Sequence, residues 1–121
     1  DHFWLIEDEG GTLLALVNGL CTNEPNLSDE MYESPTMHDP DGAWQMIFGV
    51  ATAPAAQGQG LATRLLRTVI ETTRAHGRRG LVLTCLDDLI PFYARLGFAD
   101  EGLSTSNHGG VSWHQMRLTL T

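Results

Sequence analysis

Residues 43–63 read AWQMIFGVATAPAAQGQGLAT. The first ten, Ala43 to Thr52, are rich in aromatic and β-branched residues, which fit a pleated, buried surface and predict a central strand. Gly49 inside it predicts a bulge or a close approach of backbones. After Pro54, the turn Gln57-Gly58-Gln59-Gly60 opens directly on a helical pattern from Leu61 to His76. There Leu61, Leu65, Val69 and Thr73 recur at four-residue spacing against Arg64, Arg67, Glu71 and Arg74, the mark of an amphipathic helix. Gly77 stands where a left-handed residue usually closes a helix, and Arg78-Arg79-Gly80 lead into a second strand, Leu81 to Cys85. A strand, helix, strand passage with a right-handed crossover makes the two strands parallel and adjacent.

Working outward, Phe3 to Glu7 and Thr12 to Leu20 are apolar runs joined by Asp8-Glu9-Gly10-Gly11, which predicts a hairpin. From Cys21 to Gly42 the composition turns polar, and Pro25, Pro35 and Pro40 interrupt regular structure, so this is a surface excursion. Leu27 to Glu33 within it predicts a short helix capped by Asn26 or Ser28. Beyond the second parallel strand, Asp87 or Asp88 is expected to cap a short helix running to Leu96, with Pro91 tolerated in the first turn and Gly97 as the stop. Phe98 to Leu103 and Val111 to Leu120 complete the order β-β-β-α-β-α-β-β as an antiparallel pair around Ser104 to Gly110. The fold class is α/β (α+β), a mixed, mostly antiparallel sheet flanked by helices.

The 121 residues suit one domain spanning 1–121. No apolar run approaches the ~20 residues of a membrane helix, and Asp1-His2-Phe3-Trp4 lacks the layout of a signal peptide, so the expected partners include no membrane and the expected location is the cytoplasm. Fifteen acidic and seven basic residues leave a net charge of -8, which repels a phosphate backbone and argues against nucleic acid, while drawing in cationic partners. Cys21 and Cys85 stand far apart without metal-ligand spacing, so buried free thiols are expected and no metal site.

The glycine turn carries the chemistry. A strand-to-helix turn exposes backbone amides at a helix N-terminus, where partial positive charge favours a pyrophosphate; Gly58 and Gly60 present no side chain to obstruct it. A Walker A loop needs a Lys after the glycines, and a dinucleotide fingerprint needs Gly or Ala where Thr63 stands. The plain alternative is a tight turn with no ligand.

The hexapeptide Gln57-Gly58-Gln59-Gly60-Leu61-Ala62 resembles the Q/R-x-x-G-x-G/A signature of the GNAT acetyltransferases. Leu89 to Phe98, with Pro91-Phe92-Tyr93 and Gly97-Phe98, resembles the PFY-x-x-x-GF segment of the arylalkylamine N-acetyltransferases and their bacterial relatives. The likeness continues through Asn107-His108-Gly109-Gly110 and Trp113 and covers roughly residues 3 to 120. The family's first strand and first two helices would precede Phe3, so the chain reads as N-terminally truncated relative to the family. A preceding segment, a homodimer partner or a second chain is expected to cover Phe3 to Leu20.

The resemblance implies acetyl-CoA as co-substrate and a small-molecule primary amine as acceptor. In the family the central parallel strands splay and pantetheine lies in the gap. On that pattern Val50, Ala51 and Thr52 offer backbone contacts to pantetheine, an amide near Val50 meets the developing oxyanion, and Gln57, Gly58, Gln59, Gly60, Leu61, Ala62 and Thr63 hold the pyrophosphate. Tyr93 aligns with the catalytic tyrosine, the proton donor to the departing thiolate. The two histidines that animal members carry on the central strand are replaced by Met46 and Phe48, which leaves His38, His108 and His114 as the histidines at hand, His108 first among them. Two other classes stand beside this one: a cysteine-dependent acyl transferase using Cys85, disfavoured by Asp87 and Asp88 beside it, and a non-catalytic acyl-CoA-binding or regulatory module. Trp4, Trp44, Trp113 and Phe48 fit either an aromatic acceptor pocket or the core.

Overall fold

The computed structural model describes residues 2–28, 31, 38–103 and 113–120. Its strands are β1 (His2–Glu7), β2 (Leu13–Thr22), β3 (Trp44–Thr52), β4 (Gly80–Cys85), β5 (Ala99–Leu103) and β6 (His114–Thr119), and its helices are α1 (Leu61–Ala75) and α2 (Ile90–Arg95). The strands form one sheet in the order β1-β2-β3-β4-β6-β5. Among the described residues only β3 and β4 pair in parallel; every other pair there is antiparallel.

The helical period expected of residues 61–76 is realised by α1, which buries Leu61, Leu65, Leu66, Val69, Ile70 and Thr73. They pack on Ala15, Val17, Ile47, Leu81, Leu83 and Met116 from four strands. Gly77 and Gly97, at φ +71° and +106°, close the two helices as their positions predict. The other sheet face buries Leu20, Trp44, Met46 and Val82 under Leu27 and Met31. Arg117 lies 4.6 Å over the Trp44 ring and is paired with Glu101 at 2.9 Å.

The parallel pairing is short. It runs from Trp44↔Gly80 to Ile47↔Leu83 and stops. Among the described residues β3 continues through Phe48 to Thr52 along β2 alone, while Thr84 and Cys85 continue along β6 alone. The sheet therefore opens beyond Ile47 and Leu83. A bulge sits at this point: Asn18 opposes Gly49 and Gly19 opposes Ile47, so Phe48 is the extra residue, close to where Gly49 marked it. A Cβ on Gly49 would lie 2.5 Å from Asn18 Oδ1, and one on Gly19 would overlap the Met46 carbonyl oxygen. Because that obstacle is backbone, Gly19→Ala is expected to force β2 from β3 at a cost of about 1–3 kcal/mol. A thermal melt unchanged from the parent protein would refute this account of the bulge.

One capping expectation is corrected. Neither Asp87 nor Asp88 caps a helix: a 3-10 turn, Asp87–Leu89, runs straight into α2 with no side-chain cap bond at either start. The Asp87 carboxylate is engaged by His114 Nε2 at 2.9 Å instead, and a charged partner outcompetes a backbone amide. Asn26 Oδ1 accepts from Gln115 Nε2 (3.0 Å) and Arg117 Nη2 (2.9 Å), which tie the excursion to β6. The short helix expected there, 27–33, lies largely outside the described residues, as does the 104–110 connection. Both cysteines are buried and free, as expected.

Candidate active site

α1 begins where β3 ends, so its N-terminus stands at the carboxyl, opened end of the parallel pair. Gly58 (φ +83°) and Gly60 (φ +73°) are both in the left-handed region, with Gly60 as the residue that opens the helix. A Cβ on either would meet nothing within 4 Å, so the space in front of the turn is clear. Gly60 contributes its carbonyl to Arg64 N (3.0 Å), the first α1 bond, which leaves the amides of Leu61, Ala62 and Thr63 without intrahelical partners. No acidic residue occupies the first turn, so the positive end of the helix is not neutralised by its own chain.

A concavity of about 220 Å³ lies against this turn, lined by Thr52, Ala56, Gln57, Gly58, Gly60, Leu61, Ala62, Thr63 and Phe92. Seven of the ten expected cofactor residues thus converge on one surface. Val50, Ala51 and Gln59 stand outside its lining; Val50 and Ala51 lie on the part of β3 that has only β2 as neighbour, so one backbone edge faces the opening. Phe92 was missed as a lining residue, although its motif contained it: the ring reaches across from α2 and links turn to helix.

Tyr93 is buried on α2, its ring edge-on to Phe92 (centroids 5.0 Å apart) and Phe98 (5.9 Å). Among the described residues no hydrogen bond holds its hydroxyl. Burial, and secondarily the Cys85 thiol, push its pKa up to about 12, so it holds its proton across the physiological range. Cys85 packs its sulfur 3.6 Å from Met116 Sδ, and burial followed by Asp100, Asp87 and Asp88 pushes the thiol up to about 11. It is a poor nucleophile, in line with its acidic neighbours.

The histidines separate. His38 Nδ1 accepts the Cys21 amide at 3.0 Å beside the amino end of β3, far along the sheet from the opening. His108 lies outside the described residues. His114, opposite Cys85, sits between two carboxylates: Nδ1 3.0 Å from Asp100 and Nε2 2.9 Å from Asp87. Asp100, then Asp87, holds its pKa above the ordinary imidazole value. Of the aromatics, Trp44 is buried in the core of one sheet face, Trp4 packs against the core beneath α1 on the other, and Phe48 stays half-buried at the bulge. A larger concavity, about 620 Å³, lies at the amino ends of β3 and β4 between Pro40–Ala43 and His76–Arg79. There buried Arg78 donates to the Gly42 (2.6 Å) and Pro40 (3.0 Å) carbonyls and pins the excursion. No group of three metal-ligating side chains occurs among the described residues, and no helix there is long and apolar enough to cross a membrane.

With a phosphate-type turn and an opened parallel pair at one end of a mixed sheet, the chain belongs to the acetyltransferase (GNAT) family, whose sequence pattern matches residues 1–98. It is 33% identical over 116 residues to the serotonin N-acetyltransferase of Macaca mulatta, a match covering 93% of this chain and 54% of that protein. The chain therefore spans about half the length of this relative. Among solved structures it superposes on the loading GNATL domain of CurA from Lyngbya majuscula with a TM-score of 0.78 at 16% identity, covering 97% of this chain and 75% of that one. It also resembles a GNAT acetyltransferase from Brucella melitensis solved with acetyl-CoA, with a TM-score of 0.62 at 19% identity, covering 98% and 58%.

Proposed function

We propose that this chain transfers an acetyl group from acetyl-CoA directly to a primary amine, with arylalkylamines the acceptor class to test first. The observation that supports it most is the convergence of Thr52, the Gln57–Thr63 turn and Phe92 on one concavity at the opened end of the sheet. The pyrophosphate takes the free amides at the start of α1, and pantetheine lies along the β3 edge at Val50 to Thr52 as the strand partner that β4 does not supply. The Val50 amide faces the oxyanion that forms as the amine attacks the thioester carbonyl. The C–N bond forms, the C–S bond breaks, the sulfur leaves as thiolate and one amine proton is released. Tyr93 donates to that sulfur. Its pKa of about 12 lies above the roughly 8.5 of a thiol, so it begins as a hydrogen-bond donor to the developing charge and the released proton restores the balance. A Cys85 acyl intermediate is disfavoured by its raised pKa.

The substrate reading rests on the macaque relative's name and on the acidic net charge that attracts ammonium ions. We place the reaction in the cytoplasm. The exposed Phe3 and Leu5 of β1 fit contact with a covering segment, whether of this protein, of a second copy or of another chain. Thiol release from acetyl-CoA over a panel of arylalkylamines, polyamines, amino sugars and peptide amines tests the proposal. Release with at least one amine is the expected result. Acetyl-CoA binding without release for any of them would favour the non-catalytic acyl-CoA-binding module.

A further inference from the structure

We propose that His114 is a positioning residue for Tyr93, its imidazolium bracketing both ends of the segment that carries the tyrosine. The inference rests on the role given to Tyr93 above. The chain leaves the sheet at Cys85, forms the Asp87–Leu89 turn and α2, and returns at Ala99 on β5. His114 holds the exit through Asp87 (2.9 Å) and the return through Asp100 (3.0 Å) with its two ring nitrogens. Between those ties the backbone is nearly continuous helix: Ile90 N bonds the Asp87 carbonyl, and the Tyr93 carbonyl accepts Leu96 N and Phe98 N at 3.0 and 3.2 Å. A shift at Asp87 is therefore transmitted to the turn of helix that holds Tyr93.

Both nitrogens face carboxylate oxygens, which only accept, so both must carry hydrogen; a neutral imidazole has one donor and satisfies one tie. The titratable groups around the ring among the described residues are all acids: Asp87 from the turn, Asp100 on β5, and the Cys85 thiol on β4, on which Asp88 also acts. Glu101, next along β5, is turned to Arg117 and Gln115. With Asp100 the larger cause, the raised pKa fits a ring kept charged by these neighbours. On proton loss the ties are unequal. Asp100 keeps a second donor, the Gly102 amide at 2.8 Å, whereas the Asp87 carboxylate is 82% exposed and has no other side-chain tie among the described residues. Asp87 is the contact released. The bracket is complete below the unfolded imidazole pKa of about 6.5 and opens as pH rises through the raised folded value.

The test follows His114 and Tyr93 ring signals by NMR through a pH titration of the whole chain, beside the Asp87→Ala variant, which alters only an exposed side chain. The Tyr93 signals are expected to move with the His114 midpoint. Asp87→Ala should lower that midpoint and abolish the coupled movement. In turnover it should reduce kcat about three- to tenfold with the KM for acetyl-CoA unchanged, and flatten the descending high-pH limb. Tyr93 signals that stay still while His114 titrates, or a pH profile identical in Asp87→Ala and parent, would overturn the inference. If no amine is acetylated yet the two rings titrate together, the proposed reaction fails and the coupling stands.

Discussion

Tyr93→Phe is expected to lower kcat by about 10²-fold or more while leaving acetyl-CoA affinity nearly unchanged. The substitution removes one oxygen and keeps the ring that packs edge-on against Phe92 and Phe98. Because that oxygen has no hydrogen-bond partner among the described residues, deleting it breaks no internal contact and should not lower the melting temperature appreciably. A role in packing alone gives the reverse pattern, a lower melting temperature with ordinary turnover. Near-normal kcat in the folded variant would remove Tyr93 from the mechanism.

Gly60→Asp is expected to abolish acetyl-CoA binding without unfolding the protein. The position is left-handed at φ +73°, where an aspartate is strained less than most residues, and nothing lies within 4 Å of the added Cβ. An acid at the start of α1 also favours the helix dipole, offsetting part of that strain. Toward a pyrophosphate its effect is opposite. Two like unit charges about 4 Å apart repel by about 4 kcal/mol at an effective dielectric near 20, roughly a thousandfold in affinity. Calorimetry on the folded variant decides the matter, and affinity equal to the parent's would move the pyrophosphate elsewhere. Gly60→Ala, strained but uncharged, separates the charge from the backbone.

The parts of this molecule that were legible in its sequence are those fixed by local chemistry. Leu61, Leu65 and Val69 show their period within one helix, Gly77 and Gly97 mark conformations open to few other residues, and Gly49 announces the bulge that its contact with Asn18 requires. The glycine turn was readable because glycines, helix start and strand end are contiguous. What escaped was side-chain choice over distance. Asp87 reads as a helix cap until a histidine 27 positions on is folded beside it, and nothing near Asn26 in the chain announces its ties to Gln115 and Arg117 on β6. No spacing in the linear chain links Asp87, Asp100 and His114; only the strand order brings them together.

The four-residue parallel pairing has a wider consequence. Apart from that seam, the sheet is two antiparallel ribbons, β1-β2-β3 and β4-β6-β5, bridged by α1 across one face. Under the proposed binding mode, a molecule hydrogen-bonded into the opening works as mortar between them. Occupancy and cohesion then become one quantity, since each increment of ligand affinity is also an increment of resistance to the ribbons parting. Such a protein loosens at its working surface first when starved of its co-substrate.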